Sequence, residues 1–278
     1  MFRNIPKIAL IALIVLWGFP FRAADPGRDK EVDAVVSAIK AKLANGTKLS
    51  AEDFKEEVAR LEKISAERRK AGTGEAVGPI FLIAQVYDAI QDPTRAVETF
   101  ERIVKDFPES EFASMSKNNA DVLRPEAKMQ QARAKLVVGA DFPDFNKTDL
   151  NGREMSVSAL KGKVVLIDFW ATFCPPCMAA LPELKRLHKK YASEGFEILG
   201  INEDENPEAL PRAVDRLGLT WPQYHDADSE LGLRYGASML PEVYLIGRDG
   251  KIVATDEVLH TDSFEAHIRK ALGLKTEN

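Results

Sequence analysis

The hydrophobic positions change period once along the chain. Up to about residue 137 they recur every three or four places, the spacing of one face of a helix. In DKEVDAVVSAIKAKLANG, Val32, Val35, Val36, Ile39 and Leu43 share a side, and Asn45-Gly46 stops the run. In LSAEDFKEEVARLEKISAERRKAGTG, Ser50 is placed to cap a helix, with Asp53 three residues on, and Gly72 and Gly74 end it. Beyond residue 138 the runs shorten. KTDLNGREMSV carries Asn-Gly between alternating segments, a hairpin signal. KVVLIDFW and FEILGIN read as strands buried on both faces. MAALPELKRLHKKYAS puts Leu181, Leu184, Leu187 and Tyr191 on one helical face, and NPEALPRAVDRLG is a helix stopped by Gly218. EVYLIGRDGKIVA is a second hairpin, and TDSFEAHIRKAL a closing helix. The expected class is α/β, a mixed central sheet flanked by helices, preceded by a small all-α domain. The expected boundaries are 1–24, 25–137 and 138–278.

Residues 1–24 stand apart. MFRNIPK is basic, IALIALIVLWGFPF carries no charge, and no acidic residue precedes Asp25. That is the layout of a secretory leader. FRAAD is a poor cleavage site, so an uncleaved N-terminal anchor stays open. Either reading places the rest of the chain outside the cytoplasm. Composition is ordinary for a soluble protein of 278 residues, 45% hydrophobic and 29% charged, with a formal net charge of −5. Nothing in it suggests a nucleic-acid partner. The histidines at 188, 225, 260 and 267 show no metal-ligand spacing.

Residues 77–108 resemble one 34-residue tetratricopeptide repeat. Tyr87, Ala96, Phe100 and Pro108 match its pattern, Ala84 takes the small position in place of glycine, and Ile80 replaces the tryptophan. The next stretch does not repeat it. A partner-binding surface and a packing or spacer domain both fit, and a single repeat favours the second.

The only cysteines, Cys174 and Cys177, are separated by two prolines and lie between a buried strand and the helix it feeds. A helix N-terminus stabilises a thiolate, so a thiol there becomes nucleophilic near neutral pH. Cys174 is the expected exposed member. Pro175 and Pro176 lack N–H groups, so the nearest main-chain donor to its sulfur is that of Cys177. A zinc site needs about four ligands, and no second pair is present. A structural disulfide across so short a loop would stabilise little. Haem attachment needs histidine where Met178 stands. A redox pair remains. Asp168, on an apolar run, reads as a buried carboxylate with a raised pKa that accepts a proton, or else as a strand residue satisfied by neighbours.

VVLIDFWATFCPPC followed by ASMLPEVYLIGRDGKIVA resembles the thioredoxin superfamily, specifically the extracytoplasmic TlpA/ResA-type thiol–disulfide oxidoreductases. The resemblance covers about residues 138–275. It implies a thioredoxin-like fold, a cis Pro241 facing the cysteines, and Leu240 binding substrate backbone. It implies that Pro182 kinks the active-site helix, and it places Trp170, Phe173 and Glu242 around the substrate. Departures are Phe173 where tryptophan is common, Ala180 where some members carry glutamate, and Asp168 where many have asparagine. Thr172 stands two residues from Cys174, which excludes the peroxiredoxin context. The implied activity is dithiol exchange through Cys174 and Cys177, reducing client proteins with electrons from a membrane donor. No cofactor beyond the cysteine pair, and no metal, is expected. The competing reading is a redox-gated adaptor whose helical region recruits a partner.

Overall fold

The computed structural model describes residues 30–44, 49–72, 74–237, 239–256 and 263–275. The leader expectation, on residues 1–24, and the Asn45-Gly46 stop lie outside them. Among the described residues no helix is long and apolar enough to cross a membrane. The chain divides into two units, one up to Ala127 and one from Lys128.

The first unit is helical. Helix α1 spans Lys30–Ala44, and a 3-10 turn at Ala51–Phe54 leads into α2, Lys55–Lys70. The Asp53 carboxylate accepts from the Ser50 N–H at 2.7 Å and the Ser50 hydroxyl at 2.8 Å, fixing the entry to the turn. Helices α3, Val77–Ala89, and α4, Pro93–Asp106, form an antiparallel pair. Asp92 caps α4 by accepting from the Arg95 N–H at 3.1 Å, and Pro93 opens the helix where its missing N–H costs nothing. Ala84 and Ala96 are buried within this unit's core, with Phe54, Leu61, Ile83 and Phe100. After α4 the chain forms no second pair but one helix, α5, Glu111–Arg133, with Pro125 inside it.

The second unit begins within α5, upstream of the expected 137/138 boundary. The reason is close packing of that helix's last turns on residues far along the chain. A Cβ on Gly236 would lie 2.7 Å from the Met129 carbonyl oxygen and from the Arg133 Cβ, so only glycine fits there. A small hairpin, β1 Lys147–Thr148 and β2 Glu154–Met155, precedes the main sheet. The main elements, in chain order, are β3 Val164–Trp170, α6 Pro175–Tyr191, β4 Phe196–Asn202, α7 Ala209–Leu217, β5 Gln223–His225, α8 Glu230–Tyr235, β6 Glu242–Ile246, β7 Ile252–Thr255 and α9 Phe264–Leu272. The sheet order is β5-β4-β3-β6-β7, with β3, β4 and β5 parallel and β6 and β7 antiparallel. β5 and α8 were not legible as elements: β5 is three residues long, and α8 is a six-residue helix.

Both faces of β3 are covered. Val164, Leu166 and Trp170 pack with Leu181, Leu184 and Leu187 of α6 and with Phe264 and Ile268 of α9. Val165, Ile167 and Phe169 pack on the other side with Phe142, Phe145, Leu231 and Tyr235. Alternation along the strand therefore gives each residue a side, and Asp168 faces the α6 side.

Candidate active site

The active-site loop is the short link from β3 to α6. Ala171, Thr172 and Phe173 turn the chain, and Cys174 caps α6 in an extended conformation, φ −98° and ψ 101°. Pro175 and Pro176 fill the first helical positions. The Cys177 N–H donates to the Cys174 sulfur at 3.2 Å, the donor that the missing proline N–H groups single out. The two cysteines are joined as a disulfide with Cα atoms 5.3 Å apart. Asp204 pins the loop from the end of β4. Its Oδ1 accepts from the Thr172 N–H at 3.0 Å and the Thr172 hydroxyl at 2.9 Å. Asn202 in turn holds its other oxygen, donating from Nδ2 at 2.9 Å.

Neither cysteine is exposed in the disulfide form: Cys174 is 5% accessible and Cys177 3%. This corrects the expectation that Cys174 stands out. Packing against the α6-side core hides both, and the exposed surface beside them belongs to apolar neighbours. Phe173 is 65% accessible, and Pro175 and Pro176 are exposed; Met239, two residues before Pro241, is 73% accessible. The Leu240–Pro241 peptide is cis. Phe169 pairs with Glu242 across β3 and β6, so Pro241 lies beside the end of β3, where the cysteine loop departs. Leu240 and Pro241 are half-buried.

Two residues placed around the substrate are elsewhere. Trp170 is buried, and its indole N–H donates to Gln223 Oε1 at 2.9 Å. Glu242 is also buried, because its register with Phe169 turns it to the face opposite Asp168. There it meets Arg133 of α5, Nη1 to Oε2 at 3.1 Å, and Arg133 also donates to Asp256 at 2.8 Å. Burial pushes the Glu242 carboxyl up to about 7 despite the opposing pull of Arg133. Neither side chain forms part of a substrate rim in this disulfide form.

Asp168 is buried on the same face as the cysteines, and burial alone pushes its carboxyl up to about 7. No charged neighbour and no hydrogen bond contributes. A carboxyl of that kind changes charge near neutral pH, as a proton acceptor for a thiol must. Among the described residues no group of three or more His, Cys, Asp or Glu side chains is placed to hold a metal.

Sequence reasoning missed Arg133, Asp204 and Gln223. Arg133 sits in a helix assigned to the other domain. Asp204 and Gln223 are single polar residues whose partners lie on other strands. One signal was available: Gly200, an isolated glycine inside a buried strand, marks a close approach.

Residues 137–271 match the Redoxin family. The chain is 36% identical over 121 residues to the thiol-disulfide oxidoreductase ResA of Bacillus thuringiensis (strain Al Hakam), covering 44% of this chain and 70% of the relative. It is 36% identical over 115 residues to ResA of Bacillus subtilis (strain 168), covering 41% of this chain and 64% of the relative. Among solved structures, the thioredoxin domain of a thiol-disulfide oxidoreductase from Bacteroides vulgatus aligns with 28% identity and a TM-score of 0.45, covering 49% of this chain and 99% of that one. A bonded Cys-Pro-Pro-Cys pair capping the helix after a central strand, and relatives of this extent, agree: the chain belongs to the ResA-type thiol–disulfide oxidoreductases of the thioredoxin superfamily.

Proposed function

We propose that the protein reduces disulfides of client proteins outside the cytoplasm. The observation that carries this reading is Cys174 at the N-cap of α6, its sulfur accepting from the Cys177 N–H and bonded to Cys177. In the reduced form the same N–H and the helix N-terminus favour a Cys174 thiolate. That thiolate attacks a client disulfide, forming a mixed disulfide and releasing one client sulfur as a thiolate. Cys177 gives up its proton and attacks Cys174, breaking the mixed disulfide. The second client sulfur leaves, and the Cys174–Cys177 disulfide forms. Two electrons pass to the client, and a membrane-bound dithiol donor restores them.

Asp168 is the proton acceptor for Cys177 in this scheme, through a water. Help of this kind is worth about 10²- to 10⁴-fold, and a fast thiol reaction takes the low end. Leu240 and Pro241 receive the client backbone, with Phe173 alongside. The helical first unit serves as a spacer or sets client choice.

The test is the reduction potential of the cysteine pair, measured by equilibration against thiol buffers, together with turnover of a protein disulfide. A reductase lies near thioredoxin, at about −270 mV. A potential near the about −120 mV of a strong oxidant, with no reduction of the protein disulfide, would overturn the direction proposed.

A further inference from the structure

Gln223, Gly200 and Asp168 form one row across the sheet. Gly200 is the register partner of Asp168 on one side and of Gln223 on the other. Alternation places all three on the α6 face, with Phe196 and Ile198 of β4 and Leu166 and Trp170 of β3. Neighbouring strands are about 4.8 Å apart, so two spacings separate the backbones of Gln223 and Asp168. The middle position has no side chain, and the Gln223 amide occupies that gap. A Cβ on Gly200 would lie 2.5 Å from Gln223 Nε2 and 2.6 Å from its amide carbon. The glutamine therefore reaches across β4 toward β3.

The orientation of the amide is set by its one partner. The Trp170 indole can only donate, so the oxygen of Gln223 must face it. Nε2 is left with two donor hydrogens, buried and without a partner. A buried donor left unmade keeps the full penalty of its desolvation. The next side chain along the row is Asp168, 3% accessible, with no hydrogen bond contributing to the environment of its carboxyl. The sheet thus buries an orphan donor over a glycine, on the row that leads to the Asp168 carboxyl.

We propose that Gln223 is a positioning residue for Asp168, its Nε2 donating to the carboxylate, directly or through one water, when Asp168 takes up charge. Trp170 fixes the amide, Gly200 clears its path, and the neutral donor favours the carboxylate without neutralising it. No charged side chain contributes to the Asp168 environment; Gly200, Val243, Leu166 and Trp170 surround it on the sheet. Gln223 thus sets the pH at which Asp168 accepts a proton. The inference rests on the proton-acceptor reading for its functional consequence, though the contact does not depend on it.

The test titrates Asp168 directly, by carboxyl carbon NMR on the full chain in its disulfide form. Gln223→Met keeps length and apolar volume and removes the donor. Its Asp168 should ionise about tenfold less readily, a midpoint about one pH unit higher. The midpoint for resolution of a Cys174 mixed disulfide should move by the same amount. In the unaltered chain, the Gln223 side-chain amide signals should titrate with the Asp168 midpoint, and should cease to do so in Asp168→Asn. That measurement does not depend on whether Gln223→Met folds. An unmoved Asp168 midpoint in folded Gln223→Met, or amide signals indifferent to Asp168, overturns the proposal. If the Asp168 midpoint moves while resolution ignores it, the contact stands and the proton-acceptor role falls instead.

Discussion

Replacing Asp168 with asparagine removes a buried group whose ionisation opposes folding. In the unfolded chain its carboxyl ionises near 3.8, and in the fold near 7. The folded pKa is raised, so between those values the native protein holds a proton that the unfolded chain has released. Stability therefore falls as pH rises through this window and levels off above it. At about 1.4 kcal/mol per tenfold, the cost is on the order of 4 kcal/mol at pH 8 and under about 1 kcal/mol at pH 4. The asparagine amide brings a burial cost of its own, but that cost does not titrate. The quantity to read is thus the difference between Asp168→Asn and the unaltered protein, by urea denaturation of the disulfide form at a series of pH values. Glu242 titrates in the same range, and the difference cancels it. The variant should gain in relative stability from pH 4 to pH 8 by several kcal/mol. A difference that stays flat across that range would mean that Asp168 is not held as a desolvated carboxyl, and the account of its chemistry would be wrong.

Arg133→Met should leave Glu242 buried without its cation. Removing one partner of a buried pair costs about 3–5 kcal/mol; Arg133 is about a third exposed, so about 1–3 kcal/mol is expected after solvent screening. Because Glu242 is protonated below about 7, the loss in urea midpoint should be larger at pH 8 than at pH 5. A fragment from residue 138 lacks Arg133, so it should be less stable than one from residue 128, by denaturation of the two side by side; equal stability would show that the last turns of α5 contribute nothing. Gly200→Ala should destabilise the fold by displacing the Gln223 amide, and thermal unfolding should show it; Gly273→Ala, at an open helix end with positive φ, serves as the comparison for a cost from backbone conformation alone.

The strands other than β5, the active-site helix and the cysteine loop were legible because each rests on local signals. The helical spacing of Leu181, Leu184, Leu187 and Tyr191 gave the buried face of α6, and the prolines after Cys174 singled out the Cys177 N–H. A strand buried on both faces has no alternation to read, so the sequence could not say that Asp168 and Glu242 point to opposite sides. That depends on register, which pairs Glu242 with Phe169. The burial of Trp170 depends likewise on Gln223, a residue 53 positions away on a strand of three residues. Arg133 was hidden by its helix, which reads as part of the first domain up to its last turns. Site residues within the cysteine loop were therefore readable, and those that reach it or one another from other strands, Asp204 included, were not.

The central claim is that Cys174 attacks and Cys177 resolves. Trapping tests it most directly. Cys177→Ser and Cys174→Ser are each exposed to a protein disulfide substrate, and the products are separated without reductant and identified by mass. The account predicts a mixed disulfide through Cys174 that persists in Cys177→Ser, and none in Cys174→Ser. Equal trapping by the two variants, or trapping through Cys177 alone, would contradict it.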